Sequence, residues 1–249
     1  MERNYSLDFI KFFAILAVVA IHTGTVRGVQ IGGIHGDDVD FVIDTLARFA
    51  VPFFFVASGY LLVQRMKEIA QKHPRETMKP QLDYFRKYTI KLVKLWFAWF
   101  VFYFLFDLSI KFIETEKTAP ALQTMIIDYA ANIFTFDLIY YGAGHSQYHL
   151  WFLLALIWSV IILFIFMKLK LLPYLVIISL GLNIFGLFGQ SYSSFYEVTV
   201  NTRDALFFGL FYTSLGGIMG AYAQKIREIA VKVPTFLYAI LLLLLAAAQ

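Results

Sequence analysis

The 249-residue chain contains no cysteine, which excludes disulfides, thiol nucleophiles and thiolate metal sites. Charge is scarce too: Asp, Glu, Lys and Arg make up 15% of the residues, where a soluble domain carries roughly a quarter. Strict apolar–polar alternation over about ten residues is missing, which removes the membrane β-barrel from consideration. No repeat, low-complexity tract or linker divides the sequence, so it reads as one domain. The first apolar run, Leu7 to Val26, is not closed by an Ala-x-Ala-like site and reads as a first membrane helix rather than a cleaved signal peptide. What fills the chain instead is apolar: 60% of residues, with 27 Phe and 15 Tyr, and a mean hydropathy of +0.69. That excess points to lipid as the solvent, with aromatics for the lipid-facing surface and the interfacial belts. The net charge of +4 gives no reason to expect a nucleic-acid partner, because its distribution matters more than its sum.

A spanning helix needs about 20 mostly apolar residues. Seven segments qualify: 7–26, 41–64, 91–112, 148–167, 171–189, 204–223 and 233–249. Backbone groups in lipid must bond within their own segment, so runs of this length are helices. The expected fold class is all-α, a polytopic transmembrane helix bundle. The charges orient it. With the N-terminus in the cytoplasm, the inner segments hold Arg3, Arg65, Lys67, Lys72, Arg75, Lys79, Arg86 and Lys87, then Lys168, Lys170, Lys225, Arg227 and Lys232. The outer segments hold Arg27, Lys117 and Arg203, beside Asp37, Asp38, Asp40, Glu114, Glu116 and Asp137. Thirteen basic residues inside against three outside satisfy the positive-inside rule. The last segment ends in a run of Leu and Ala with no cap or flanking charge, and the expectation is a piece of a longer bundle.

Polar residues at depth are informative because each costs about 2.5–3.5 kcal/mol to insert. Four stand out on four segments: His22 near the outer end of the first, Arg48 in the first turns of the second, His149 opening the fourth, and Arg203 just before the sixth. With the N-terminus inside, all four belong to the outer level. Taken singly, each has a bland explanation: a helix-end Arg snorkels to headgroups, and a lone His packs as a core residue. Their joint occurrence suggests chemistry, since imidazoles and guanidiniums can take a proton from a hydroxyl and hold an oxyanion. A metal is not expected, because two His without nearby carboxylates make a thin zinc site.

Lys11 lies eleven residues before His22. On a continuous helix the two are about 16 Å apart and roughly 20° from one shared face. Asp8 is placed at i, i+3 to pair with Lys11. Further along, Arg86, Lys87, Lys91 and Lys94 cluster where the third segment leaves the cytoplasm. Such a cluster ordinarily sets topology or touches anionic lipid, and it could also hold a phosphate-rich donor.

At these residues the chain resembles the acyltransferase-3 family of membrane acyltransferases. Leu7-Asp8-Phe9-Ile10-Lys11 followed by Ile21-His22 is similar to the family's basic residue, ten intervening positions and histidine on its first helix. Arg48 to Phe55 with Ser58-Gly59-Tyr60, and His149-Leu150-Trp151-Phe152-Leu153, resemble its second-helix and fourth-helix signatures. Thr202 to Gly209 is similar to a motif of the branch containing the membrane domains of vancomycin-type serine racemases.

The resemblance implies one membrane acyltransferase domain over 1–249, the N-terminal portion of a bundle of about ten helices in a bacterial cell membrane. It implies acyl-CoA (acetyl-CoA) as the cytosolic donor and, as acceptor, a hydroxyl of a cell-envelope glycan or lipid-linked sugar. His22 falls at the family's catalytic histidine and Lys11 at its basic partner, commonly Arg; Lys keeps the charge without the bidentate geometry. Arg48, His149 and Arg203 are then substrate-binding, and Arg86, Lys87 and Lys91 bind the donor. The family's Arg-x-x-Arg pair falls at Tyr88 and Lys91, so its second charge alone is kept. Two rival readings are a small-molecule or amino-acid transporter-like module without acyl transfer, and a non-catalytic scaffold. Acyl-CoA binding separates the transporter from the enzyme.

Overall fold

The computed structural model describes residues 4–24, 26–74, 78–142, 148–190, 198, 200–234, 236–237 and 240. It resolves into two compact units, Met1–Arg65 with Leu215–Gln249, and Met66–Ser214.

In the first unit, α1 (Tyr5–Thr23) starts where Asn4 Oδ1 accepts from the Leu7 N–H at 3.1 Å. It stops at Gly24, whose left-handed backbone (φ +50°) turns its N–H back to the Ala20 carbonyl, a termination glycine adopts without strain. Along α1 Ala14 is buried, while Phe9, Phe12, Ile15 and Val19 are exposed. A helix apolar on every side and exposed along most of its length suits lipid and would be unstable in water. A two-residue antiparallel pair, β1 (Gln30–Ile31) with β2 (Ile34–His35), precedes α2 (Gly36–Ala47). α3 (Ala50–Lys72) follows, and its part up to Arg65 belongs to this unit. The segment expected as one helix over 41–64 is therefore divided, with Arg48 and Phe49 at the break.

The same unit holds the end of α9 (Leu210–Ala221) and all of α10 (Ala223–Ala230). α9 meets α3 through two glycines four residues apart. A Cβ on Gly216 would sit 2.0 Å from the Val56 carbonyl oxygen, and one on Gly220 2.7 Å from that of Tyr60. Gln64 Nε2 donates to the Gly220 carbonyl at 2.9 Å. Small residues at this spacing let two helix backbones approach closely in lipid, where no hydrophobic force drives association.

In the second unit, α7 (Trp151–Lys168) is central, burying Leu154 to Ile157, Ser159, Val160, Leu163 and Phe164. Against it pack α4 (Lys79–Glu114), α8 (Leu172–Phe188) and a five-residue π-helical turn, Ala205–Gly209, that leads into α9. α4 has 36 residues. At 1.5 Å per residue it is about 54 Å long, against a hydrocarbon core of about 30 Å, so a stretch of it lies outside the core. Its basic first turns are anchored: Gln81 Nε2 donates to the Met66 carbonyl at 2.8 Å, and Lys168 Nζ donates to Gln81 Oε1. α5 (Ala119–Ile133) was not expected. It packs Tyr129 and Ile133 with Phe100 and Leu138, the last from α6 (Phe136–Tyr140). Its 15 residues, with Gln123, Asp128 and Asn132 among them, are too few and too polar to span.

Among the described residues, Tyr5–Thr23, Gly36–Lys72, Lys79–Glu114 and Trp151–Lys168 are long and apolar enough to cross a membrane. Ala205–Ala221, bent by 82° from Ala223–Ala230, makes a fifth when the pair is taken as one, and α8 falls just short with 17 residues. Six of the seven expected segments thus correspond to helices, and 233–249 lies mostly outside the described residues. The fold is an all-α bundle of membrane helices.

Candidate functional site

Of the expected site residues, the first unit carries Lys11, His22 and Arg48. α1 is uninterrupted from Tyr5 to Thr23, so Lys11 and His22 do lie on one helix face about three turns apart. Lys11 Nζ is 3.9 Å from Asp8 Oδ1, the pairing its spacing suggested. His22 is exposed in the last turn of α1. Arg48, expected inside an apolar helix, instead sits exposed at the α2–α3 break, with Nη2 3.0 Å from Asp44 Oδ2. Nearby, Arg27 pairs with the nearly buried Asp40 at 3.1 Å, and the Gly28 N–H donates to Asp37 Oδ1 at 3.1 Å. The acidic residues after α1 thereby fasten the loop that follows His22.

The second unit carries the remainder. His149 lies in a 3-10 turn, Tyr148–Leu150, ahead of α7, with the edge of its ring against Tyr103 of α4 at 6.0 Å between centroids. Arg86, Lys87 and Lys91 are exposed on the basic start of α4. Lys87, Lys91 and Lys94 fall at i, i+4 and i+7, one stripe about 10 Å long, with Arg86 beside it. Exposed ammonium groups at that spacing can meet anionic groups as point charges. Tyr88, standing where the family has an arginine, stacks on Tyr84 at 6.4 Å and gives no charge to the stripe.

Arg203 is exposed between two buried neighbours, Thr202 and Asp204, which are 1% and 2% exposed. Asp204 Oδ1 accepts from the Phe207 N–H at 2.7 Å and caps the π-helical turn, while Oδ2 accepts from the Tyr140 hydroxyl at 2.8 Å. Burial first, then the hydrogen bond to Asp204, pushes the Tyr140 phenol well above its ordinary pKa. Thr202 Oγ1 donates to the Gly186 carbonyl at 2.9 Å, and Gln190 Nε2 donates to both the carbonyl and Oγ1 of Thr202. Asn183 Nδ2 donates to the Phe207 carbonyl at 2.8 Å, satisfying an acceptor that the irregular turn frees. In the sequence, Thr202 to Gly209 resembles a branch signature, with Arg203 its expected substrate-binding member. The fold gives Thr202 and Asp204 a structural task and leaves Arg203 as the member that points outward. An acidic residue just before an apolar run is a readable helix-cap signal, but its partner Tyr140, 64 residues away, carries none.

Fold and charged positions together define a multi-pass α-helical membrane domain. Over residues 4–249 the chain matches the acyltransferase domain family, acyltransferase-3, and it belongs to that family. Two similar proteins from Enterococcus faecalis, each named an amino-acid racemase, are 26% identical over 243 residues and 24% identical over 238. In both, 91% of this chain is matched but 30% of the relative, so the chain spans under a third of the length of these curated relatives. No solved structure matches it.

Proposed function

We propose that this chain is the membrane part of an O-acyltransferase, with its N-terminus in the cytoplasm of a cell membrane, that moves an acetyl group from acyl-CoA to a hydroxyl of a cell-envelope glycan or lipid-linked sugar. The observation that carries the reading is the family match over 4–249 combined with Lys11 and His22 on one face of an unbroken α1. In this reading the His22 imidazole accepts the acceptor's hydroxyl proton as the oxygen attacks the thioester carbonyl. The tetrahedral oxyanion then collapses, the C–S bond breaks, and the coenzyme leaves as a thiolate that takes up a proton. Lys11, on the cytoplasmic side of the same stripe, offers a positive charge to the incoming donor. Arg86, Lys87 and Lys91 hold the donor's phosphates, and the resemblance assigns Arg48, His149 and Arg203 to the acceptor. A positioned general base is worth about 10²–10⁴ in rate.

The absence of cysteine makes the test clean, because a thiol reagent reports released coenzyme A alone. The protein in vesicles, given acetyl-CoA and an envelope glycan extract, releases thiol, and His22→Ala lowers that rate by about 10²–10⁴ without altering membrane insertion. Undiminished release by the variant would sink the assignment. The name shared by the two relatives favours a second reading, an amino-acid-handling membrane module. That reading requires amino-acid flux into vesicles and no saturable binding of acetyl-CoA.

A further inference from the structure

α10 has no part in the proposed chemistry, and among the described helices it is short and strongly amphipathic. It follows α9 after a single residue, Tyr222, and turns 82° away from it. Where Ala205–Ala221 alone is the part that enters the membrane, a helix almost perpendicular to it lies close to the membrane plane. At 100° per residue, Tyr222, Ile226, Ile229, Ala230 and the following Val233 share one side. Gln224, Arg227 and Glu228 take the opposite side, with Lys225 near the border of the apolar stripe. Among the described residues, the large side chains of the stripe, Tyr222, Ile226 and Ile229, are all exposed, Ile229 at 64%. Counting the adjacent Lys232, the polar side holds three cations against the single carboxylate of Glu228.

We infer that α10 is an in-plane helix that seats Tyr222, Ile226 and Ile229 in the membrane interface and binds anionic phospholipid headgroups through Lys225, Arg227 and Lys232. Three observations select this occupant over a protein partner. The 82° bend sets the helix along the surface of the bilayer that α9 enters. A tyrosine stands at the bend, where an amphipathic ring suits the headgroup level. The charge excess is positive and flanks an apolar face, the pattern of helices that lie on anionic lipid. Eight residues offer little apolar area, so headgroup charge rather than insertion depth sets the strength of seating.

The cysteine-free chain allows single labels without background. Ile226→Cys, Ile229→Cys, Gln224→Cys and Glu228→Cys, each carrying a nitroxide in the full chain, are compared in vesicles of phosphatidylcholine alone and of equal phosphatidylcholine and phosphatidylglycerol. Labels at 226 and 229 are expected to collide mainly with oxygen dissolved in lipid, and those at 224 and 228 mainly with an aqueous nickel chelate. The contrast is sharper in the anionic vesicles. Replacing Lys225, Arg227 and Lys232 together with Gln abolishes that sharpening, because each cation near the surface contributes roughly fivefold in partitioning. The inference is overturned if all four labels meet the chelate equally. It is also overturned if 226 and 229 are shielded from both reagents, which would mean that protein covers the stripe. None of these readouts depends on acyl transfer.

Discussion

Asp204 offers the sharpest test of the packing within the second unit, because one carboxylate closes two separate bonds there. In Asp204→Ala the Phe207 N–H loses its cap, a loss typically of about 1 kcal/mol. The half-buried Tyr140 hydroxyl also loses its acceptor, a further ~1–2 kcal/mol. Together these give roughly 2–3 kcal/mol of destabilisation. Tyr140→Phe removes only the second bond and costs about 1 kcal/mol. If the two residues act through that bond, the double variant loses less than the sum, by about 1 kcal/mol. Asp204→Asn keeps the cap through its amide oxygen, and its amide nitrogen can donate to the phenol oxygen, so it falls between Asp204→Ala and the native chain. Arg203→Ala, one position away but exposed, changes stability by no more than about 0.5 kcal/mol. The assay is the loss of helical circular dichroism when the detergent-solubilised protein is titrated with SDS. Additive effects of Asp204→Ala and Tyr140→Phe, or an Arg203→Ala variant as unstable as Asp204→Ala, would refute the buried–exposed–buried register of Thr202, Arg203 and Asp204.

Two further outcomes follow from the packing and the charge pattern. Gly216→Ala places a methyl 2.0 Å from the Val56 carbonyl oxygen, so α9 must separate from α3; overpacking of this kind costs about 1–3 kcal/mol. The control is Gly181→Ala in α8, where the new Cβ meets nothing within 4 Å and helix propensity raises stability by about 0.5–1 kcal/mol. SDS titration of the pair should move their midpoints in opposite directions, and a shared direction would count against the close α3–α9 approach. Lys87→Gln with Lys91→Gln should raise KM for acetyl-CoA by about tenfold with little change in kcat, as loss of ground-state phosphate binding requires. A fall in kcat at unchanged KM would remove these lysines from donor binding.

Much of the architecture was legible in the sequence, for a single physical reason. Lipid cannot hydrogen-bond a backbone, so a run of about 20 apolar residues has one economical conformation and composition alone reveals it. α1, α4, α7 and α8 follow directly from that rule. The rule is silent on local detail. The span read as 41–64 lies within Gly36–Lys72, which is long and apolar enough to cross, yet a two-residue turn at Arg48 and Phe49 interrupts it, and α5 is a helix too short and too polar for the apolar test. For the site, the Lys11 to His22 spacing could be read from helix periodicity because both residues belong to one element. So could the stripe of Lys87, Lys91 and Lys94.

Everything that joins distant parts of the chain was decided by the tertiary structure. Tyr140 and Asp204 are 64 residues apart, Gln64 and the Gly220 carbonyl 156, and no local pattern marks either pair. The glycines at 216 and 220 could be anything in the sequence until the Val56 and Tyr60 carbonyls arrive against them. The sequence determined that this chain lives in a membrane, that it forms helices, and which charges lie along the same helix, because solvent and periodicity act residue by residue. Which polar groups are buried together, and therefore that Asp204 is structural while Arg203 beside it stays exposed, depends on which surfaces meet, and only the folded chain fixes that.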